Sequence, residues 1–198
     1  ASLGAKVLHS RCVEIAKKYG VELLVCSSLN RNSGTMVREK TKMEKMLISG
    51  VAADKNVAKI RVAGLGNDPE STFRLLNLLD RNNLNIDVMI QSLGKDGTKS
   101  VSFTVAKPDM LRTIDVLNDN KDLLGIKKLD YDENVAKVSV IGAGVRSHSG
   151  VAAKMFGALA NAGINTEMVT TSEIRITALI DEAYADQAMR AIHETFLE

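Results

Sequence analysis

Apolar and polar residues follow one order twice along this chain. The phrase Asn56-Val57-Ala58-Lys59 returns as Asn134-Val135-Ala136-Lys137, 78 residues later. In both copies a short apolar run leads into Gly-x-Gly, followed by a loop, a helical pattern and a β segment that begins at Leu84 or Ile164. That last offset is 80, so the second copy has a loop two residues longer. One unit has therefore been duplicated, and the duplication organises the rest of the chain.

The first copy predicts a complete unit with the order βαββαβ. Residues 57–62 alternate as in a half-buried strand, and Asp68 with Pro69 suits the start of a helix. Leu75 and Leu79 give this helix its apolar stripe. The unit continues with a strand, a turn, a strand, a helix and a strand, predicted over 86–90, 94–97, 101–105, 110–117 and 126–131. This order is that of a ferredoxin-like unit, so the fold class is α+β.

The second copy lacks its fourth strand. It predicts a strand over 135–141, a helix with its apolar stripe from Val151 to Leu159, two more strands and a helix over 185–192, and then the chain nearly ends. A spare strand, 45–53, lies just before the first copy. We therefore predict that this strand completes the second sheet. The first unit, 56–133, is then inserted in the second, which consists of 45–54 and 134–198.

Residues 1–37 lie outside the repeat. Leu8, Cys12, Ile15 and Tyr19 have helical spacing, and Gly20 is suited to end that helix. Residues 22–27 predict a strand, and the charged residues 38–45 predict a linker.

Composition excludes several classes of function. The 198 residues are 45% hydrophobic and 25% charged, with a formal charge of +2, which does not indicate a nucleic-acid or membrane partner. Trp is absent and aromatic residues make up 4%, so stacking platforms for bases are scarce. The two cysteines, Cys12 and Cys26, are typical of reduced thiols in the cytoplasm.

Several segments resemble the regulatory region of the aspartate kinase (aspartokinase) family, with its tandem ACT domains. Ile86 to Ser92 resembles a strand of the first ACT domain, and Gly142 to Gly150 with Ile164 to Glu167 and Thr171 to Ile176 resembles the second. Gly4 to His9 and Val25 to Leu29 resemble the last helix and strand of the kinase domain. The resemblance covers essentially the whole chain, and it makes residues 1–37 a remnant of that kinase domain.

The resemblance implies allosteric sensing of an end-product amino acid, commonly lysine or threonine, that feedback-inhibits phosphorylation of aspartate by ATP. It also implies a homodimer, in which the first ACT domain of one chain lies beside the second of its partner. The family's ATP and aspartate residues lie upstream of Ala1, so no catalytic residue, metal or cofactor is expected in this chain. ATP and Mg²⁺ are expected only with the kinase domain.

The effector contacts that the resemblance implies lie in the loops and strand ends of both units. They are Asn67, Asp68, Asn85, Ile86, Asp87, Gln91, Val145, Arg146, Ser147, Asn165, Thr166 and Ser172. The sequence departs from the family pattern at Asn67-Asp68-Pro69-Glu70, where the family has Asp-x-Pro-Gly, and at Ser149 and Thr166, where proline and isoleucine are usual.

The residues themselves support two interpretations of these positions. A helix N-terminus offers N–H groups and partial positive charge to a carboxylate, and an ammonium needs carbonyl or acidic oxygens. Equally, Asp68 could simply cap its helix. Gln91 and Asn165 could satisfy nearby backbone, and Ser172 could be a turn residue.

Other motifs are weak. Gly142-Ala143-Gly144 continues to Ser147 rather than glycine, so the dinucleotide fingerprint is incomplete, and His9 with Cys12 has no second pair of ligands. Three other functions remain as rivals to effector binding: a structural dimerisation module, an RNA-binding sheet and an enzyme. The RNA-binding sheet would need paired exposed aromatic residues on its strands, and an enzyme would need a catalytic set that the sequence does not show.

Overall fold

The computed structural model describes residues 7–29, 33–38, 48–142, 144–147 and 150–197. Within these ranges the α-helices are α1 Ser10–Lys18, α2 Glu70–Arg81, α3 Met110–Asp119, α4 Lys121–Leu124, α5 Gly144–Ser147, α6 Val151–Asn161 and α7 Ala185–Leu197. The strands are β1 Leu23–Val25, β2 Thr35–Val37, β3 Gly50–Leu65, β4 Met89–Leu93, β5 Lys99–Ala106, β6 Lys128–Ile141, β7 Met168–Thr171 and β8 Arg175–Asp181. Short 3₁₀ turns, Lys107–Asp109 and Glu182–Tyr184, precede α3 and α7.

Six strands form one continuous antiparallel sheet in the order β4-β5-β3-β6-β8-β7. The sequence predicted two separate sheets, with strand breaks after residue 53 and after residue 131. Instead β3 and β6 are single long strands, and each runs through both halves of the sheet. The register between them shifts between Asp54 and Val57, where the β3 strand passes from one half to the other.

The two long strands give each half four strands. In the first half β4, β5, the later part of β3 and the earlier part of β6 are neighbours. In the second half the order is β7, β8, the later part of β6 and the earlier part of β3, with Gly50 opposite Ile141 and Asp54 opposite Lys137. Residues 50–54 of the spare strand thus pair with the later part of β6, and the inserted arrangement of the two domains stays a prediction. Its first predicted residues, 45–47, lie outside the described residues, as does most of the predicted linker.

Each half has its own apolar core on the helical face of the sheet. In the first half Leu75 and Leu79 of α2 pack with Ile60 and Phe103, and all four are almost fully buried. In the second half Met155 and Leu159 of α6 belong to an equivalent cluster with Ile180 and Ile192. The helical spacing of the leucines and methionine brings them onto one face, so these parts of the sequence prediction are confirmed.

A third, smaller cluster lies at the join between the halves. It consists of Val57, Val88, Val135, Met168 and Leu179, all buried, with Ile90 packed against them. Val57 and Val135 are equivalent residues of the repeated phrase, and they are paired across β3 and β6. The cluster therefore joins the two halves through one valine from each copy of the repeated phrase, Val57 and Val135.

Some predicted boundaries are wrong. The strand expected over 86–90 begins only at Met89. Before it, Thr104 accepts from the Asp87 N–H and donates to the Val88 carbonyl, and the Val88 N–H donates to the Thr104 side-chain hydroxyl. Within the helix predicted over 110–117, Leu111 is an apolar residue that is 67% exposed. The helix expected before Gly20 is α1, and Gly20 has the positive φ that suits its C′ position. The strand after it pairs with β2, which the sequence did not predict.

No helix among the described residues is long and apolar enough to cross a bilayer.

Candidate functional site

Ion pairs join the two halves in a repeated pattern. Lys59 of the first repeated phrase pairs with Glu167 of the second half, and the equivalent Lys137 pairs with Asp87 of the first half. Each lysine therefore reaches the acid of the opposite unit. The duplication has produced an approximate two-fold relation, in which one contact is made twice across the join.

The same relation appears in two further contacts. Asp54 Oδ1 accepts a hydrogen bond from the Asn56 backbone N–H at 2.9 Å, and Asp132 Oδ1 accepts one from Asn134 at 2.9 Å. These Asx turns stand at the two places where β3 and β6 change halves. Lys107 and Glu182, the first residues of the two 3₁₀ turns, form an ion pair at 2.8 Å.

A cleft of about 390 Å³ lies at the join, and we name it the seam cleft. Its lining residues come from both halves: Ala52, Asp54, Asn56, Asn85, Ile86, Asp87, Thr104, Val105, Ala106, Asp109, Lys137, Ser139 and Arg175. Three of the predicted effector residues, 85–87, are among them. The segment that carries them covers one side of the cleft, because Val88 anchors it in the cluster at the join.

Lys137 has two acidic partners in the seam cleft. Its ammonium lies 3.1 Å from Asp54 Oδ2 and also pairs with Asp87. The lysine side chain is only 14% exposed, whereas the Asp54 and Asp87 side chains are 34% and 44% exposed. One cation balanced by two carboxylates leaves this group with a formal charge of −1.

Two further charged groups of the seam cleft are unpaired. Asp109 and Arg175 are both half-buried, and within the described part of the chain neither side chain has an ion-pair partner. The hydroxyls of Ser139 and Thr177 are buried and lie 2.8 Å apart, so they satisfy each other. The cleft therefore offers one guanidinium and one carboxylate to a small molecule.

The loop before α2 forms a different site, at the outer edge of the first half. Asp68 Oδ1 accepts from the Glu70 backbone N–H at 3.0 Å and from Arg74 at 3.0 Å. The capping role is thus present, and the carboxylate is already engaged. Asn67 is exposed beside it.

Gln91 lies against the first turn of α2, at this outer edge. The Thr72 hydroxyl and the Gln91 side-chain oxygen are 2.6 Å apart, and the Lys99 ammonium donates to the Asp68 carbonyl at 2.8 Å. Gln91, on the edge strand β4, therefore lies against the first turn of the helix whose preceding loop contains Asn67 and Asp68.

The corresponding edge of the second half holds the other predicted residues. Val145 is the second residue of the short helix α5, while the side chains of Arg146 and Ser147 are outside the described residues. Asn165 and Thr166 are exposed just before the edge strand β7. Ser172 closes the turn between β7 and β8, where its backbone N–H donates to the Arg175 carbonyl at 2.7 Å.

Sequence reasoning missed several residues of the seam cleft. Asp54, Asp109, Lys137 and Arg175 come from four separate strands or turns, and only the strand register brings them together. A signal was available for one of them, since Lys137 ends the repeated phrase. Among the described residues, no group of three His, Cys, Asp or Glu side chains is placed to hold a metal ion.

The chain is similar in sequence to known proteins. A family model described as the ACT domain matches residues 138–196. The aspartokinase of Pseudomonas aeruginosa is 39% identical over 199 aligned residues, which cover 99% of this chain and 48% of that protein. The chain thus spans about half the length of the curated relatives it matches.

Solved structures give the same result. The ligand-free regulatory subunit of aspartate kinase from Thermus thermophilus is 33% identical, with a TM-score of 0.71 over 76% of this chain and 99% of that one. Aspartokinase III of Escherichia coli, solved in complex with lysine and aspartate, is 25% identical, with a TM-score of 0.78 over 100% of this chain and 44% of that one.

Proposed function

The chain belongs to the ACT-domain regulatory region of the aspartokinase family, and we propose that it binds an end-product amino acid, lysine or threonine, and thereby inhibits an attached kinase domain. The effector would lie at the outer edge of the first half, beside Asn67, Asp68 and Gln91. A second copy of the chain would complete the site with its Asn165 and Thr166.

The observation that carries this proposal is the position of Gln91. Its side-chain oxygen is 2.6 Å from the Thr72 hydroxyl, in the first turn of α2, and no described residue accepts from its amide N–H groups. The start of a 12-residue helix adds partial positive charge at the same place. Both features suit the carboxylate of an amino acid.

The edges of the sheet support pairing between two copies. Within the described ranges β4 and β7 are the outermost strands, and there each presents unpaired backbone groups on one side. Pairing β4 of one copy with β7 of the other would bring Gln91 toward Asn165 and Thr166. The approximate two-fold relation between the halves implies a second site of the same kind. It would consist of Val145, Arg146 and Ser147 together with Asn85 and its neighbours.

Inhibition would be a shift between two arrangements of the paired copies. The effector can change the kinase only to the extent that it binds one arrangement more tightly than the other. The solved aspartokinase III is a complex with lysine, which supports lysine as the first candidate. The substrates of the kinase reaction, aspartate and ATP, are part of the proposal for the whole protein.

Calorimetric titration with lysine, threonine and methionine tests the proposal. Removing one hydrogen bond to a charged group costs about 1.5–3 kcal/mol, or roughly 10- to 150-fold in affinity. We therefore expect Gln91→Ala and Asn165→Ala to weaken the bound amino acid by this factor. Asn118→Ala, an exposed asparagine of α3, is the matched control and should bind as the parent does.

Two results would contradict the proposal. Unchanged binding by both alanine variants would place the effector elsewhere. An unchanged melting temperature at saturating lysine and threonine would leave only a structural dimerisation module. Sedimentation at micromolar concentration is expected to show a dimer, and a single species of 21.4 kDa would reject the shared site.

A further inference from the structure

We propose that Lys59 is a positioning residue for the effector site at the sheet edge, and that it acts on the segment 165–167 of the second half. This inference rests on the proposed function and deepens it, because it names what holds Asn165 and Thr166 in place for the amino acid. Lys59 is not itself a contact of the ligand. It acts through its ion pair with Glu167.

The segment 165–167 is fixed mainly at its two ends. Ile164 before it and Met168 after it are buried, whereas the three residues between them are exposed and belong to no helix or strand. A short irregular segment with little buried surface has low local stability. The few contacts that it makes therefore decide which conformation it adopts.

Glu167 makes one contact to each half of the chain. Its backbone N–H donates to the Leu179 carbonyl at 2.8 Å, within the second half, and its carboxylate pairs with Lys59 of the first half. The Lys59 and Glu167 side chains are only 25% and 35% exposed, so water screens this pair less than a pair at the surface. The first half thus holds a segment that the second half contributes to the effector site.

The segment 85–87 is held in the same way. The Asp87 backbone N–H donates to the Thr104 carbonyl at 3.1 Å, and the Asp87 carboxylate pairs with Lys137 of the second half. Lys137 is the equivalent of Lys59 in the repeated phrase. Because the same arrangement occurs at both segments, the crossing ion pair belongs to the duplicated unit and is not an isolated surface contact.

The ion pair favours binding by limiting the conformations of the segment 165–167. When only a fraction of the molecules has the conformation that binds, the apparent affinity falls by that fraction. A partly exposed ion pair contributes between the values for surface and buried pairs, or about 5- to 30-fold in an equilibrium constant. Methionine keeps the apolar stem of lysine without its charge. We therefore expect Lys59→Met to weaken lysine binding by up to about this factor.

Amide hydrogen exchange measured by NMR tests the positioning role without any ligand. Opening of the segment 165–167 exposes the Glu167 N–H, so Lys59→Met should speed exchange of that amide by about 5- to 30-fold. Exchange of the Asp87 amide should stay the same. Lys137→Met should have the reverse pattern. A general weakening of the fold would speed exchange of both amides in both variants.

Lys55→Met is the matched control. Lys55 lies on the same strand and pairs with Asp186 of α7 at 2.9 Å, so it also joins β3 to the second half. Its pair does not involve the segment 165–167, and the two side chains are 44% and 68% exposed. This variant should change neither the exchange of the Glu167 amide nor the affinity for lysine.

A double-mutant cycle on the affinity for lysine tests the route through Glu167. Glu167→Gln should weaken binding as much as Lys59→Met does, and the combined variant should lose no more than either single variant. Lys59→Arg keeps the charge and should restore most of the affinity. Additive losses would show that the two residues act independently, and would overturn the proposal.

The outcomes separate this inference from the proposed function. Unchanged exchange of the Glu167 amide in Lys59→Met would overturn the positioning role, whether or not an amino acid binds. Faster exchange with undiminished affinity for lysine would also overturn it. Faster exchange in a chain whose parent binds no amino acid would support the hold of Lys59 on the segment and contradict the proposed function instead.

Discussion

Replacing Lys137 by methionine should destabilise the chain by about 1–2 kcal/mol. Methionine keeps the length of the apolar stem, so the change removes the charge and little of the packing. It leaves Asp54 and Asp87 without the cation between them. Exposed ion pairs contribute about 0.2–1 kcal/mol, and breaking a buried pair costs about 3–5 kcal/mol. The lysine is 14% exposed but its partners are 34% and 44% exposed, so solvent screening places the cost between these limits.

Urea unfolding followed by circular dichroism measures this difference in free energy of unfolding. Lys128→Met is the matched control, because Lys128 and its partner Asp130 are 67% and 40% exposed, and we expect it to cost less than about 0.5 kcal/mol. For a chain of this length, 1 kcal/mol corresponds to about 2–4 °C in melting temperature. High salt should reduce the Lys137 effect, since the partners are partly exposed. Equal costs for the two variants would refute the assigned role of Lys137 at the join.

Three further outcomes follow from the structure. Ser139→Ala should lower the free energy of unfolding by about 1–3 kcal/mol, because it leaves the buried Thr177 hydroxyl unpaired. The double variant Ser139→Ala/Thr177→Val should lose less than the single variant. Urea unfolding measures both losses, and additive losses would contradict the pairing. Deleting residues 45–53 should abolish amide protection in β8 and preserve it in β5, and equal protection in both strands would refute the insertion. The Thr98 N–H and hydroxyl hold the pKa of Asp96 below its usual value, so this contribution to stability is present at neutral pH and is lost as the pH falls through the folded-state pKa. In an NMR titration Thr98→Val should raise that pKa, and an unchanged pKa would exclude the hydroxyl as a cause.

The repeat could be predicted from the sequence because the periodicity of each element depends only on residues that are close along the chain. Leu75 and Leu79 repeat at helical spacing, and Gly94 to Gly97 has turn chemistry, so helix and hairpin were both predictable. The continuity of β3 was not, because residues 53–57 contain polar side chains typical of a turn. Those side chains stay in the strand because Asp54 accepts from Asn56 within a register shift. A local break in pattern is therefore compatible with an unbroken strand.

The edge site was partly predictable and the seam cleft was not. Asp68 was weighed as a helix cap, and its bond from the Glu70 N–H agrees with that interpretation. Asp109 and Arg175 carry no local signal, since each is an ordinary charged residue next to a strand. Their positions in one cleft depend on the pairing of distant strands, which periodicity does not specify.

The pairing of Asp54 with Lys137 has a consequence for how this chain can be cut and rejoined. The residues between them leave the second half and return to it at neighbouring positions on adjacent strands, about 4.8 Å apart. A hairpin turn in their place would reconnect the second half as one uninterrupted chain, a circular permutant whose fourth strand comes first. The first half is thus an insertion between two adjacent strands of the second half. A replacement whose two ends stay one strand spacing apart keeps the backbone path of the second half, but it removes the contacts that Val57, Val88 and Asp87 make across the join.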